Sequence, residues 1–140
     1  MNALFCTVAA PLVFLTLTAC SQSSSADRAI SDSSAYVQLA PQAFEAKLIT
    51  LTDEQLIDVR TLTEYEGGHL PNAVLMDFRG ERFEQDIARL DRDRPVMVYC
   101  AKGGRSTATA ARLQAMGFRE IYELEGGVSS WLKAGKAVTP

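Results

Sequence analysis

The densest chemistry in the chain lies in seven consecutive residues, Cys100-Ala101-Lys102-Gly103-Gly104-Arg105-Ser106. A thiol opens the run, two glycines let the backbone turn sharply, and two cations follow. Successive backbone N–H groups in such a turn can point inward and cradle an anion, and a helix starting there adds about half a positive charge. A cysteine at the lip of that cradle holds its thiolate more readily than a free thiol of pKa about 8.5. Lys102 and Arg105 push in the same direction. The bland alternative makes Cys100 a small buried hydrophobe ending a strand, but Lys, Gly, Gly and Arg suit anion binding better than strand packing. The chemistry expected is nucleophilic catalysis by Cys100, with the loop around it as the anion site.

That loop needs a strand before it and a helix after it. Pro95 to Tyr99 is an uninterrupted apolar run and reads as the central strand. After Arg105, Ala108, Ala111, Leu113 and Met116 lie along one side of a helix with Ser106 and Thr107 near its start and Gly117 at its stop. A strand-to-helix turn is where open α/β sheets bind ligands. Upstream, Tyr36 to Leu39 reads as a strand, and Pro41 begins a helix carrying Phe44, Leu48 and Leu51. Gln55 to Val59 suits a buried strand with Asp58 at its carboxyl end, followed by a turn containing Gly67 and Gly68. Ala73 to Met76 is a further short strand, and Phe83, Ile87 and Leu90 mark a helix over Glu81 to Leu90. Ile121 to Leu124 is the last strand, and Gly126-Gly127 turns into a short helix carrying Trp131. Alternating strands and helices imply an α/β fold, a small parallel sheet of about five strands flanked by helices on both faces.

The whole chain has 140 residues, 47% hydrophobic and 22% charged, which fits one ordinary core. Its net charge of −3, without a basic block, argues against nucleic acid as a partner. Every Lys, Arg, Asp and Glu lies at or beyond Asp27, so Ala3 to Ala19 is an uncharged, mostly apolar run. It ends in Leu17-Thr18-Ala19-Cys20, which resembles the lipobox of bacterial lipoproteins, although no Lys or Arg precedes it. The expectation is a signal peptide over 1–19, lipidation at Cys20, a Ser-rich tether over 20–35 and the folded domain over 36–140. That places the domain in the cell envelope, anchored to the membrane by lipid and facing the periplasm, or the exterior where there is no outer membrane. An uncut anchor and a start codon placed too far upstream are the competing readings; as a helix the apolar run spans roughly 25 Å, short of the ~30 Å hydrocarbon core. With Cys6 removed and Cys20 lipidated, Cys100 has no intramolecular partner, and an unpaired thiol in an exported protein is a candidate for reactivity.

Three blocks resemble the rhodanese family of sulfurtransferases, from about Tyr36 to Pro140. Asp58-Val59-Arg60, with Glu64-Tyr65 and Gly68-His69-Leu70-Pro71-Asn72-Ala73, is the first. The CxxGxRS loop from Cys100 to Ser106 is the second, and Gly126-Gly127 with Trp131, Ala134-Gly135 and Val138 is the third. Asn72 stands where the family often has Gly, and Asn tolerates the same left-handed backbone. The resemblance implies a single-domain rhodanese-like fold in which Cys100 takes a sulfane sulfur from a donor such as thiosulfate. Cys100 then carries it as a persulfide to a thiophilic acceptor, cyanide or a thiol. The amides from Ala101 to Ser106 would stabilise negative charge on the outer sulfur. No metal or organic cofactor is needed; the partner is a small sulfur compound or a persulfide-carrying protein.

The remaining motif residues receive supporting roles. Asp58 and Arg60 read either as a surface ion pair worth under ~1 kcal/mol or, by the resemblance, as a brace at the sheet edge beside the loop. His69, the only histidine, is expected to be hydrogen-bonded and structural, because a thiolate needs no general base and a lone His makes no metal site. Gly103 and Gly104 read as required for backbone shape. Two rival functions differ in kind. A phosphatase or arsenate reductase would carry CxxxxxR, whereas Cys100 to Arg105 is CxxxxR, a tighter ring suited to a single sulfur atom. A membrane-tethered, non-catalytic binding or redox-sensing module would keep the fold without turnover.

Overall fold

Val96 to Tyr99 alternates its burial between two cores, and the rest of the fold is arranged around that strand. The computed structural model describes residues 35–140; the signal peptide, the Cys20 lipidation and nearly all of the tether fall outside the described residues. The elements run β1 (Ala35–Leu39), α1 (Pro41–Thr50), β2 (Gln55–Asp58), α2 (Leu62–Glu66), β3 (Val74–Leu75), α3 (Phe83–Ala88), β4 (Val96–Tyr99), α4 (Gly104–Ala115), β5 (Glu120–Leu124) and α5 (Gly127–Lys133). All pairings are parallel, in the order β1-β5-β4-β2-β3, so β4 is central as the apolar run predicts.

Side chains alternate across a strand, and β4 uses both faces. Val96 and Val98 enter one core with Ile57, Val59, Phe83, Ile87, Leu113 and Phe118. Met97 and Tyr99 enter the other with Phe44, Leu56, Leu70, Leu124 and Trp131. Parallel neighbours require crossover connections, and the helices supply them while covering both faces.

Four elements differ from the sequence reading. The stretch expected to form only a turn before Gly67 contains α2, which begins with a capping box: Thr61 Oγ1 accepts from the Glu64 N–H, and the Glu64 carboxylate accepts from the Thr61 N–H. None of its five residues is buried, so it leaves no apolar stripe in the sequence. The helix expected over Glu81 to Leu90 contracts to α3, and the Ala73 to Met76 strand contracts to two edge residues. Finally, α4 starts at Gly104, before Ser106, because Gly103 turns the chain with φ +111°.

Candidate active site

Cys100 follows the last residue of β4 and is buried at 1% exposure. Gly103 doubles the chain back so that its own N–H donates to Cys100 Sγ at 3.1 Å, and the Ser106 hydroxyl lies 3.4 Å from the same sulfur. No side chain caps the start of α4, which leaves its first amides directed at the loop. Burial pushes the Cys100 thiol up, yet the hydrogen bonds from the Ser106 hydroxyl and from the amides of Ser106, Lys102 and Gly103 outweigh it and hold it below the ordinary thiol value. Of the residues in the expected cradle, Lys102, Gly103 and Ser106 bring backbone amides to the sulfur, and Ser106 adds its hydroxyl.

The loop is held from two sides. From α5, the Val128 N–H donates to the Cys100 carbonyl at 2.8 Å and the Ser129 N–H to the Ala101 carbonyl at 3.1 Å. This approach requires glycine at position 127, where φ is +61° and a Cβ would sit 2.2 Å from the Cys100 carbonyl oxygen. From α2, Glu64 accepts two hydrogen bonds from the Arg105 guanidinium, both at 2.7 Å. Those bonds hold the Glu64 carboxyl well below the usual carboxylate range, against the burial that raises it and with help from Thr61. Arg105 thus spends its fork on Glu64 and acts on the thiolate through its field. Lys102 is exposed, and its link to the sulfur runs through its backbone amide.

Asp58 and Arg60 correct the surface reading. Asp58 is 0% and Arg60 5% exposed, and the two are joined by three side-chain hydrogen bonds of 2.6–3.0 Å. Nor do they stand at a sheet edge, since β2 lies between β3 and β4 and Asp58 is registered against Tyr99. Arg60 also donates to the Gly68 carbonyl at 2.8 Å and lies over the Tyr99 ring. The Tyr99 hydroxyl accepts from the Leu70 N–H at 3.0 Å. The pair thereby joins β2, the Gly68–Leu70 turn and the strand leading into Cys100.

His69 stacks on Tyr65 with ring centroids 3.7 Å apart, and its Nδ1 lies 3.2 Å from the Tyr65 carbonyl oxygen. Its backbone pairs in both directions with Thr139, and it makes no hydrogen bond to the Cys100 loop. Gly104 departs from the expectation of a shape-required glycine: a Cβ there would meet no protein atom within 4 Å, so the requirement falls on Gly103 alone. Asn72 adopts φ +65°, the left-handed backbone the sequence anticipates. A surface hollow of about 370 Å³ beside β3, lined in part by Val74, Met76, Arg82 and Arg89, includes none of the loop.

The sequence reading assigned no role to Glu64, which it named only as part of the first block, and did not single out Glu123. Glu64 had a signal in the Thr61-x-x-Glu64 spacing of a capping box. Glu123 had one in being the charged residue inside the apolar run Ile121 to Leu124; it is 0% exposed and accepts from the Ser106 hydroxyl at 2.6 Å.

A thiosulfate sulfurtransferase GlpE from Coxiella burnetii is 33% identical over 85 residues, covering 61% of this chain and 78% of the relative. The namesake from Pseudomonas savastanoi is 34% identical over 76 residues, covering 54% of this chain and 70% of the relative. Among solved structures, a rhodanese-related protein from Thermoplasma volcanium superposes with a TM-score of 0.65 at 26% identity, over 74% of this chain and 98% of that one. Residues 41–134 match the family model described as the Rhodanese-like domain, and the chain belongs to that family.

Proposed function

We propose that this protein is a sulfurtransferase that works through a persulfide on Cys100. The observation that carries the reading is the placement of the Gly103 amide and the Ser106 hydroxyl at 3.1 and 3.4 Å from Cys100 Sγ. The Cys100 thiolate attacks the outer sulfur of thiosulfate, a sulfur–sulfur bond forms, and sulfite leaves with the electron pair of the broken bond. The outer sulfur then carries the negative charge, which the loop amides face. In the second half-reaction cyanide, or a thiolate, attacks that sulfur and leaves as thiocyanate or as a new persulfide. The Cys100 thiolate is restored. The GlpE relatives bear the name thiosulfate sulfurtransferase, which supports thiosulfate as donor, and exposed Lys102 at the loop suits an anionic donor.

Thiocyanate production from thiosulfate and cyanide tests the reaction. The expected pattern is ping-pong kinetics, with parallel double-reciprocal lines, in the protein and no product from Cys100→Ser. Product formation that survives Cys100→Ser would overturn the mechanism. We further propose, from the Leu17-Thr18-Ala19-Cys20 ending alone, that the reaction takes place at the cell envelope on a lipid-anchored domain.

A further inference from the structure

Glu123 is as deeply buried as Asp58 but is held differently. It lies in β5 in register with Gln38 of β1 and Val98 of β4. Asp58 has Arg60, whereas Glu123 pairs with no Lys or Arg among the described residues. Neutral donors surround it instead. One carboxylate oxygen accepts from the Ser106 hydroxyl at 2.6 Å and the Thr107 hydroxyl at 2.8 Å; the other accepts from Gln38 at 3.1 Å and from the Tyr36 hydroxyl. The sulfur-transfer steps make no use of this carboxylate, yet it lies one hydroxyl from the nucleophile.

That hydroxyl has a single hydrogen and three acceptors within reach: Glu123 at 2.6 Å, the Gly103 carbonyl at 2.8 Å and Cys100 Sγ at 3.4 Å. A carboxylate is a strong acceptor, and a hydrogen given to it is withheld from the sulfur. We propose that Glu123 is a positioning residue that competes with Cys100 for the Ser106 hydroxyl hydrogen and thereby keeps the sulfur a stronger nucleophile. The Gly103 amide favours the thiolate in either case, because a backbone N–H cannot turn away. The Ser106 hydroxyl is the adjustable donor, and thiolate nucleophilicity falls as thiol pKa falls. The titratable and charged groups that bear on this pair are Tyr36 from β1, Arg105 from α4, and Glu64 from α2, which holds Arg105.

Glu123→Gln isolates the effect with little change of shape. Tyr36 and Gln38 both donate to one side of the site, so the new carbonyl is expected to face them and the new amide to face Ser106 and Thr107, whose oxygens can accept. Ser106 is then free to turn its hydrogen to sulfur. The inference rests on Cys100 being the sulfur-carrying nucleophile, but alkylation reads the thiol itself, so its failure and failure of the sulfurtransferase reading are separate results. The experiment follows iodoacetamide, from which the thiolate displaces iodide, at Cys100 across pH by peptide mass spectrometry. In Glu123→Gln the midpoint is expected to fall by roughly half a pH unit or more, and the high-pH plateau rate by about threefold for each unit of that fall. In a Ser106→Ala background the same substitution is expected to move the midpoint little. An unchanged or raised midpoint, or an equal fall in both backgrounds, would overturn the proposal. Tyr36→Phe gives a second reading should Glu123→Gln fold poorly: with one donor removed, Glu123 holds Ser106 more tightly and the midpoint rises, and a fall or no change there would equally overturn it.

Discussion

Glu64 grips the Arg105 guanidinium with both carboxylate oxygens at 2.7 Å, joining a one-turn helix to a loop 41 residues later. The Arg of the CxxGxRS loop is therefore anchored to protein before any donor arrives. Its charge acts on the sulfur while its fork is engaged, and the ion pair ties the loop to α2.

This ion pair makes stability depend on acid. The Glu64 carboxyl is held below its ordinary value in the folded protein, so its contribution is fully present above the unfolded Glu pKa of about 4.3 and is lost as pH falls through the folded value. Thermal unfolding followed from pH 7 to pH 3 should show a drop in midpoint that is smaller in Glu64→Gln, which begins lower at pH 7. Parallel curves for the two proteins would contradict this.

Asp58 makes a sharper prediction because its partner is buried with it. Asp58→Ala leaves the Arg60 charge uncompensated and should cost about 3–5 kcal/mol in urea unfolding. A loss under about 1 kcal/mol, as for an exposed pair, would show that Arg60 finds water or another partner.

Gly127 and Gly104 should respond in opposite ways to the same change. Gly127→Ala places a Cβ against the Cys100 carbonyl at an unfavourable φ, so it should displace the loop and lower both stability and turnover. Gly104→Ala has open space and no positive φ, and should leave stability the same or raise it by about 0.4–1 kcal/mol. Denaturation of both variants is the check.

His69→Gln should lower stability by removing the stack on Tyr65 while leaving the pH dependence of Cys100 alkylation unchanged. A moved alkylation midpoint would mean that the imidazole communicates with the thiol.

The strands and the loop were legible because their signals are local. Val96 to Tyr99 is apolar throughout, and the Cys100 loop is contiguous, so type and spacing sufficed. The exposed helix α2 was hidden because a capping box, not an apolar stripe, holds it. Burial of Asp58 and Arg60 could not be read from two residues apart in sequence, because it depends on β3, Gly68 and Tyr99 closing over them. Glu123 escaped for the same reason: its donors come from β1 and α4, and only the sheet order β1-β5-β4 brings them to it.

The central claim is that Cys100 carries sulfur. Intact mass of the protein before and after incubation with thiosulfate, alongside Cys100→Ser, tests it most directly. The account predicts a gain of one sulfur atom that cyanide removes and that the variant lacks. No gain, or a gain that the variant shares, would contradict it.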